Sequence, residues 1–280
     1  MILKKPDWLK KKIDFGEARK LHQLLDGLDL HTVCREARCP NICECSSWGV
    51  ATLLILGRIC SRNCQFCAVE KGKPGAVDAQ EPARVADAVA RMKLKHVVIT
   101  SVTRDDLADG GAGIFAEVIS GIRKTAKDTA IEVLVPDFCG DPSAIKKVVK
   151  AKPEVFAHNL ETVPRLYPKV RQMADYRRSL GVLKMVKEID PQIKTKSGLM
   201  LGLGESEQEV LAVLDDLRGT GCDYLSLGQY LSPSLEHYPV AEYVVPEKFV
   251  SYKIQAQALG FQHVESAPYV RSSYHAAGYK

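Results

Sequence analysis

The sequence predicts an α/β fold in which a parallel sheet forms a partial (β/α)6 TIM-type barrel. The first observation is a set of apolar, β-rich runs: Ala51–Leu56, His96–Ser101, Ile131–Val135, Val155–Asn159, Lys194–Met200 and Tyr224–Leu227. The second is the set of amphipathic stretches between them: Pro82–Met92, Gly113–Lys124, Pro142–Lys150, Tyr176–Ile189 and Ser206–Gly219. Strands that alternate with helices build parallel sheets. Because six units fall short of the eight in a closed barrel, we expect an open barrel.

An extension is predicted on each side of this barrel. Residues 1–50 form an N-terminal extension that carries a group of cysteines, and the barrel is expected over residues 51–235. Residues 236–280 form a C-terminal extension that closes the barrel. This last segment contains a helical pattern over Pro246–Leu259 and a short apolar run over His263–Ser266.

Polar residues follow the predicted strands at the end where barrel enzymes place their active sites. They are the loop that begins at Cys60, residues Thr103 to Asp106, Asp137, Asn159, Glu161, Gly202, Glu205, Gln229 and Tyr230. Taken singly, each such residue is more often a cap or a loop residue than a ligand. Their shared position at the strand ends predicts that they converge.

The composition is that of an ordinary globular enzyme, with 46% hydrophobic and 26% charged residues in 280. No apolar run approaches the ~20 residues of a membrane helix, and the first residues lack a secretory signal. We therefore expect a cytoplasmic protein without a membrane partner. Of the net charge of +5, residues 1–20 supply +4. This basic arm is either a solvated terminus or a contact for an acidic partner protein. A nucleic-acid partner is not expected, because such proteins spread their basic patch over a folded face.

Cysteines are numerous and clustered. The chain has nine, and seven of them lie within 34 positions, from Cys34 to Cys67. Cys139 and Cys222 stand apart. In a chain without an export signal, this clustering favours metal binding over a disulfide framework.

The motif Cys60-x3-Cys64-x2-Cys67 lies in a loop after the first predicted strand. Three closely spaced thiolates can bind three corners of a cubane iron–sulfur cluster. The fourth iron then has no protein ligand, and an open metal position is what substrate or cofactor binding requires. The alternative is a set of buried or zinc-binding cysteines.

A second group reads Cys34-x4-Cys39-x5-Cys45, with Cys43 as an additional thiol. Four thiols are the number that a structural zinc needs, so spacing alone leaves zinc as a serious alternative. It is weakened because only one residue separates Cys43 from Cys45, whereas zinc pairs usually have two to four between them.

With Phe66 before the last cysteine, the first motif resembles the radical S-adenosylmethionine (SAM) superfamily. The two triplets together, with Arg271-Ser-Ser-Tyr274 near the end, resemble the lipoyl synthase family within it. Supporting segments run along the whole chain: Lys5-Pro-Asp-Trp8, Cys39-Pro-Asn-Ile42, Leu54-Ile-Leu-Gly57, Ser101-Val-Thr-Arg-Asp-Asp-Leu107, His158-Asn-Leu-Glu-Thr162, Lys196-Ser-Gly-Leu-Met-Leu-Gly-Leu-Gly-Glu205 and Gln229-Tyr-Leu231. Cys43 is an extra thiol relative to the family pattern.

The resemblance implies a sulfurtransferase with two [4Fe–4S] clusters and SAM. The cluster on Cys60, Cys64 and Cys67 would generate a 5′-deoxyadenosyl radical. The auxiliary cluster would donate two sulfur atoms to C6 and C8 of an octanoyl chain on a lysine of a lipoyl carrier protein domain. An electron donor such as ferredoxin or flavodoxin and iron–sulfur assembly proteins are the further partners implied. Phe66, Asn159 and Glu161 are the expected contacts to SAM.

The resemblance also implies that Ser273 is the fourth ligand of the auxiliary cluster on Cys34, Cys39 and Cys45, with Ser272 as the alternative. From spacing alone, Arg271–Tyr274 would be a plain C-terminal turn. Cys43, Cys139 and Cys222 are expected to be non-ligands. Two other functions stay open: a radical enzyme whose auxiliary cluster only relays electrons, and a zinc-stapled binding protein without catalysis.

Overall fold

The computed structural model describes residues 4–10, 25, 27–36, 39, 41, 50–274 and 276–278. Cys43, Cys45, Lys11 and Lys12 lie outside the described residues. The predicted ligand Cys45 and most of the predicted basic arm therefore have no structural description.

An eight-stranded sheet forms the centre of the fold, and its strands follow each other in chain order. Its strands are β1 (His31–Thr32), β2 (Val50–Ile55), β5 (His96–Ser101), β6 (Ala130–Leu134), β7 (Val155–Ala157), β8 (Lys194–Leu201), β9 (Tyr224–Gln229) and β10 (His263–Ser266). Strands β2 to β10 of this sheet pair in parallel, and β1 pairs antiparallel with β2 at the edge. A separate parallel pair joins β3 (Ile59–Cys60) to β4 (Glu70–Lys71).

Helices connect the parallel strands and cover the outer face of the sheet, except for the first helix, which follows the antiparallel edge strand β1 and contributes to the inner cavity. They are α1 (Val33–Glu36), α2 (Glu81–Met92), α3 (Ala112–Thr125), α4 (Pro142–Lys150), α5 (Tyr167–Val170), α6 (Tyr176–Ile189), α7 (Glu207–Gly219) and α8 (Pro246–Ala258). Short 3₁₀ turns lie at Asp7–Leu9, Phe138–Gly140, Pro164–Leu166 and Ala276–Gly278.

Side chains alternate between the two faces of the sheet, as the period of a strand requires. In β5, Val97 and Ile99 belong to the apolar layer that includes Val85 of α2 and Phe115 of α3. Thr100, the next residue in β5, lines a central cavity instead. The largest apolar core therefore lies between the sheet and its helices, and the inner face of the sheet is free to build a site.

The predicted α/β barrel is confirmed, and each of the six predicted strands is present within two residues at either end. The short run His263–Ser266 is more than an appendage, because it pairs in parallel with β9 as a seventh parallel strand. The two-residue edge strand β1 was not predicted, since its length gives no periodicity. The boundaries at residues 50 and 235 stay a prediction. Within the described ranges, the helices are too short or too polar to cross a membrane.

Candidate active site

A cavity of about 530 Å³ opens on the inner face of the sheet. Its walls include a residue from, or directly after, each of β2 and β5–β9: Thr52, Thr100, Leu134, His158, Gly198 and Gly228. A flat sheet could not place these strands around one cavity, so the sheet must curve around it. The carboxyl ends of the parallel strands meet there, as in barrel enzymes generally.

The loop that carries Cys60, Cys64 and Cys67 lies at one wall of this cavity, and all three thiols line it. The loop starts at β3 and returns at β4, where Cys60 pairs with Lys71. The Cys60 thiol accepts hydrogen bonds from the amides of Arg62 (3.5 Å) and Thr103 (3.4 Å). These contacts fix the first cysteine against the barrel.

The second half of the loop is held from outside. The Gln65 amide donates to the carbonyl of Val170 at 2.9 Å, and the Gln65 carbonyl accepts from the amide of Tyr238 at 2.9 Å. Nε2 of His237 lies 3.1 Å from the carbonyl oxygen of Cys67. The loop is thus held on both sides by protein contacts.

Burial raises the pKa of Cys64, and the Cys60 thiol and Glu161 add to that rise while Arg171 opposes it. Burial also raises the pKa of Cys67 to about 12, with further contributions from Cys64 and Cys60. The three thiols therefore lie close enough to feel each other's charge. Metal binding would remove these protons, because the thiolate is the ligand.

The donor set fits a cluster better than a single ion. Among the described residues, no three His, Cys, Asp or Glu side chains surround one ion-sized point. A structural zinc needs four donors at about 2.0 to 2.3 Å from one centre. The thiolates of a cubane each bind a different iron, so Cys60, Cys64 and Cys67 need only share a wall.

Asn159 and Glu161 line the same cavity and follow β7. The Asn159 amide donates to Glu161 Oε1 at 3.1 Å and to Ser272 Oγ at 2.6 Å. Glu161 has a left-handed backbone (φ 67°) and bridges to Leu199 of β8. A Cβ at Gly198 would lie 3.1 Å from Asn159 Oδ1, so the glycine leaves room for the amide.

Arg171 holds the segment of Asn159 and Glu161 in place. Its Nη1 donates to the carbonyl of Asn159 at 2.9 Å and contacts the hydroxyl of Tyr167 at 3.2 Å. Burial raises the pKa of Glu161, and the nearby Arg171 guanidinium and the Asn159 amide work against that rise. An arginine and a carboxyl group therefore face the same cavity.

Several buried polar atoms at this cavity have no hydrogen-bond partner among the described residues: Ser101 Oγ, His158 Nε2, Arg171 Nε and Ser226 Oγ. His158 Nδ1 lies 2.8 Å from the carbonyl of Val135 and must carry the proton. Burial, together with Arg171, lowers the pKa of His158 to about 4, so the ring is neutral and Nε2 is an acceptor. Buried orphaned groups of this kind normally have a ligand or water. The cavity therefore fits a polar molecule with both donors and acceptors.

The described members of the second cysteine group reach the same cavity. Cys34 and Cys39 line it together with Ser272 and Ser273. Cys34 lies in α1, directly after the edge strand β1. Segments from the two ends of the chain thus meet at the mouth of the barrel.

The C-terminal segment is tied down on both sides. The amide of Gln229 donates to the carbonyl of Pro268 at 3.1 Å. The Asn41 side chain donates to the carbonyl of Tyr269, and the Tyr269 hydroxyl donates to the carbonyl of Leu9, both at 2.5 Å. A Cβ at Gly228 would lie only 2.0 Å from the carbonyl oxygen of Val270, so the tail can cross β9 only over a glycine.

Two family models match the sequence, the radical SAM superfamily over residues 54–217 and the N-terminal domain of lipoyl synthase over residues 2–39. The lipoyl synthase of Geotalea uraniireducens is 59% identical, over 99% of this chain and 98% of that one. That of Caldicellulosiruptor saccharolyticus is 58% identical, over 98% and 96%. The chain belongs to the lipoyl synthase family.

Solved structures agree with the fold. Methylornithine synthase superposes with a TM-score of 0.56 at 13% identity, covering 89% of this chain and 81% of that one. SuiB of Streptococcus suis, bound to S-adenosylmethionine, gives a TM-score of 0.61 at 12% identity, covering 90% and 61%. At these identities the likeness shows the partial barrel alone. Membership of the radical SAM superfamily implies one [4Fe–4S] cluster and SAM in this family member.

The other cysteines lie elsewhere or outside the described residues. Cys222 is buried, its thiol lies 3.4 Å from the carbonyl of Tyr224, and burial raises its pKa to about 12. Cys139 is exposed in the turn after β6. Neither Cys139 nor Cys222 is among the described residues that line the cavity. Cys43 lies outside the described residues.

Sequence reasoning did not single out three residues of this site. Arg171 comes from the segment between β7 and α6, where the sequence carries no motif. His158 appeared only inside a longer matching segment, and Gly228 lay just beyond the predicted strand Tyr224–Leu227. The observed strand extends to Gln229, and a glycine within a strand signals close approach by another backbone. Of the strand-end residues that were predicted to converge, Glu205 instead caps the amides of Gly202 and Leu203.

Proposed function

We propose that this member of the lipoyl synthase family inserts two sulfur atoms, at C6 and C8, into an octanoyl group on a lysine of a lipoyl carrier protein domain. One observation carries the proposal. Cys60, Cys64 and Cys67 share a single cavity with Cys34, Cys39 and Ser273. A cavity that is bordered by both cysteine groups is what a reaction needs when one group generates a radical and the other supplies sulfur.

When bound, the cluster on the first triplet and SAM supply a radical able to abstract hydrogen from an unactivated carbon, which no acid or base of the protein could do. The protein's own contribution is to bind, orient and exclude water. Cys60, Cys64 and Cys67 provide three thiolates and leave the fourth metal position open. Apolar side chains of the wall, such as Leu134 and Leu199, keep the site poor in water.

Asn159, Glu161 and Phe66 are proposed to hold SAM, and Arg171 joins them. Asn159 offers an amide and Glu161 a carboxylate on one wall, which suits a hydroxyl-rich or ammonium-bearing ligand. Arg171 is buried, and its unpartnered Nε suits a carboxylate. All four side chains line the cavity that holds the thiols, so one molecule can reach the whole set.

Cys34, Cys39, Cys45 and Ser273 are proposed to hold the second [4Fe–4S] cluster as the sulfur donor. Ser272 Oγ already accepts a hydrogen bond from Asn159. Ser273 lines the cavity, and no described side chain or amide bonds its hydroxyl. This difference favours Ser273 over Ser272. A serine oxygen is a harder, less matched ligand for iron than a thiolate, so it suits a cluster that must give up its sulfur.

The remaining partners follow from this chemistry. The enzyme would be a sulfurtransferase that takes electrons from a donor such as ferredoxin or flavodoxin. Iron–sulfur assembly proteins would rebuild the second cluster after each product. We place the reaction in the cytoplasm, because free thiolates persist in a reducing compartment.

The experiment is metal analysis of the anaerobically reconstituted protein, followed by an assay on an octanoyl-lysine peptide. We expect about eight irons per chain as two cubanes and a lipoyl product. Sulfur isotope incorporated into the protein's clusters should appear in that product. A brown protein that cleaves SAM but transfers no labelled sulfur would be a radical enzyme with an electron-relay cluster. A colourless zinc protein would exclude both.

A further inference from the structure

Arg62 lies between two of the cluster cysteines in sequence, yet its side chain is only 4% exposed. Its Nε donates to Asp105 Oδ2 at 2.6 Å, and its Nη2 donates to Asp105 Oδ1 at 2.8 Å and to Asp137 Oδ1 at 2.7 Å. Asp105 follows β5 and Asp137 follows β6. A single guanidinium therefore joins the cysteine loop to the ends of two neighbouring barrel strands.

Asp137 is fully buried and continues this connection. Its second oxygen, Oδ2, accepts from Nε of Arg178 in α6 at 2.8 Å. Burial alone would raise the pKa of Asp137, but the hydrogen bond and charge of Arg62 hold it well below the usual range. The carboxylate thus stays charged between two arginines. The chain of contacts runs from the loop to the outer helix layer.

Ser61 adds a second connection beside the first. Its amide and its hydroxyl both donate to the carbonyl of Thr103 at 3.0 Å. The amide of Asp105 donates back to Ser61 Oγ at 3.1 Å. Two consecutive residues between Cys60 and Cys64 are therefore bound to the segment after β5. Side chains locked in this way are what hold ligands in productive geometry.

The four charged groups balance each other. Arg62 and Arg178 carry two positive charges, and Asp105 and Asp137 carry two negative ones. Arg62 is two positions from both Cys60 and Cys64, and its own amide donates to the Cys60 thiol at 3.5 Å. The group therefore lies close to any charge placed on the cysteine loop. Because the group is buried, solvent screens its effect on such a charge only weakly.

We propose that Arg62 is a positioning residue for the radical-forming cluster. With Asp105 and Asp137 it fixes Cys60 and Cys64 before the cluster arrives, and the balanced charges of the group set the local field on the cluster. The proposal rests on the proposed function of the cysteine loop. It gives Arg62 a second role besides fold stability, since a purely structural ion pair would leave the exposure of the Cys60 and Cys64 thiols unchanged.

The test compares full-length wild-type protein with Arg62→Gln, Arg62→Lys and Asp137→Asn. Arg165→Gln is the matched control, since Arg165 makes an equivalent fork to Glu209 (2.7 and 2.9 Å) on the exposed surface. The first readout is the alkylation rate of Cys60 and Cys64 in metal-free protein, measured by mass spectrometry. The second is the reduction potential of the cluster whose electron paramagnetic resonance signal responds to SAM.

Arg62→Gln and Asp137→Asn should shift the reduction potential of the cluster in opposite directions. Removing the positive charge in Arg62→Gln disfavours the added electron and lowers the potential, whereas Asp137→Asn removes a negative charge and raises it. Arg62→Lys keeps the positive charge but loses the paired hydrogen bonds to the two oxygens of Asp105. It should hold the potential near the wild-type value while Cys60 and Cys64 become alkylated faster. Arg165→Gln should match wild type in both readouts.

The proposal is overturned if Arg62→Gln and Arg62→Lys keep wild-type alkylation rates. It is also overturned if Arg62→Gln and Asp137→Asn lose thermal stability but shift the potential in the same direction or leave it unchanged, because the group then only stabilises the fold. A wild-type protein without a SAM-responsive cluster would count against the proposed function instead. The alkylation rates would still decide whether Arg62 positions the thiols.

Discussion

The loop of Cys60, Cys64 and Cys67 is one continuous segment that starts and ends in a strand pair and is also contacted by His237 and Tyr238, whereas the surroundings of Cys34 and Cys39 are assembled from both ends of the chain. The loop is enclosed by the β3–β4 pair and bound to the segment after β5. The second region depends on bonds such as Asn41 to Tyr269, which lie 228 positions apart in sequence. The thiols of the first site come from one short segment, and those of the second site meet Ser272 and Ser273 only when distant segments come together.

This difference fits the two roles that we propose for the sites. A loop fixed by the rigid part of the fold can keep one cluster through many turnovers. A site closed by a segment outside the barrel strands can open and close without disturbing the barrel, because local opening costs less there than in a core strand. A cluster that is consumed and rebuilt would need such a site. The contrast between the two regions leads directly to experiments.

Replacing either cysteine group by alanine should have the largest effects on iron content and activity, and the two replacements should differ from each other. Cys60, Cys64 and Cys67→Ala removes the open-iron cluster, so iron should fall from about eight to about four per chain and SAM cleavage should stop. Cys34, Cys39 and Cys45→Ala should lose the same amount of iron but keep SAM cleavage without sulfur insertion. Iron assays and 5′-deoxyadenosine measured by chromatography check both.

The control for this pair is Cys222→Ala, which removes a buried thiol remote from the cavity. It should keep both clusters and both activities at a modest stability cost. Retained SAM cleavage in the first triple variant would refute the assignment of the radical site to Cys60, Cys64 and Cys67.

Ser273→Ala should separate the two sites more finely. SAM cleavage should continue, because the barrel loop is untouched, while sulfur insertion should fail or slow sharply. Ser273→Cys should make a tighter and less productive cluster, since a thiolate matches iron better than a serine oxygen does. Cleavage and lipoyl formation are measured on the same octanoyl-lysine peptide.

Ser272→Ala is the matched control at the neighbouring position. It loses one hydrogen bond from Asn159, worth about 0.5 to 1.5 kcal/mol, so SAM affinity should fall by up to about tenfold with insertion otherwise intact. The reverse pattern, with insertion lost in Ser272→Ala and kept in Ser273→Ala, would transfer the ligand role to Ser272.

The local site could be predicted from the sequence, and the composite one only in part. Spacing alone singled out Cys60, Cys64 and Cys67 as candidate ligands, and all three line one cavity, because a short motif keeps its residues together wherever the fold puts it. Strand periodicity predicted six strands closely, since β/α alternation is a local pattern. The role of Ser273 could not follow from spacing, because its partners lie more than 200 positions away. For that residue only the family resemblance supplied a prediction.

Arg171 and Gly228 are two further residues whose roles the sequence could not predict. Arg171 supports Asn159 through a backbone carbonyl, and such a contact leaves no residue pattern in the sequence. Gly228 is required by the carbonyl of Val270, which lies 42 positions away in the C-terminal segment. Contacts of this kind become visible only after the chain has folded.

Gly228→Ala tests whether the tail must cross β9 to complete the second site. The new Cβ would meet the Val270 carbonyl oxygen at 2.0 Å, so the segment that carries Ser272 and Ser273 must move. Overpacking of this type costs about 1 to 3 kcal/mol. If this cost weakens the binding of the C-terminal segment to β9, each 1.4 kcal/mol lowers the fraction of molecules with the segment in place about tenfold. Sulfur insertion should fall by about tenfold or more, while SAM cleavage falls less.

Gly181→Ala is the control, because Gly181 lies within α6 and a Cβ there would meet nothing within 4 Å. Alanine at an open helix position stabilises by about 0.5 to 1 kcal/mol, so this variant should melt slightly higher and keep both activities. Thermal unfolding and the two rate assays on both variants decide the matter. If Gly228→Ala lowered cleavage and insertion equally, the tail would serve the whole cavity, and the distinction between a barrel-built site and a terminus-built site would fail.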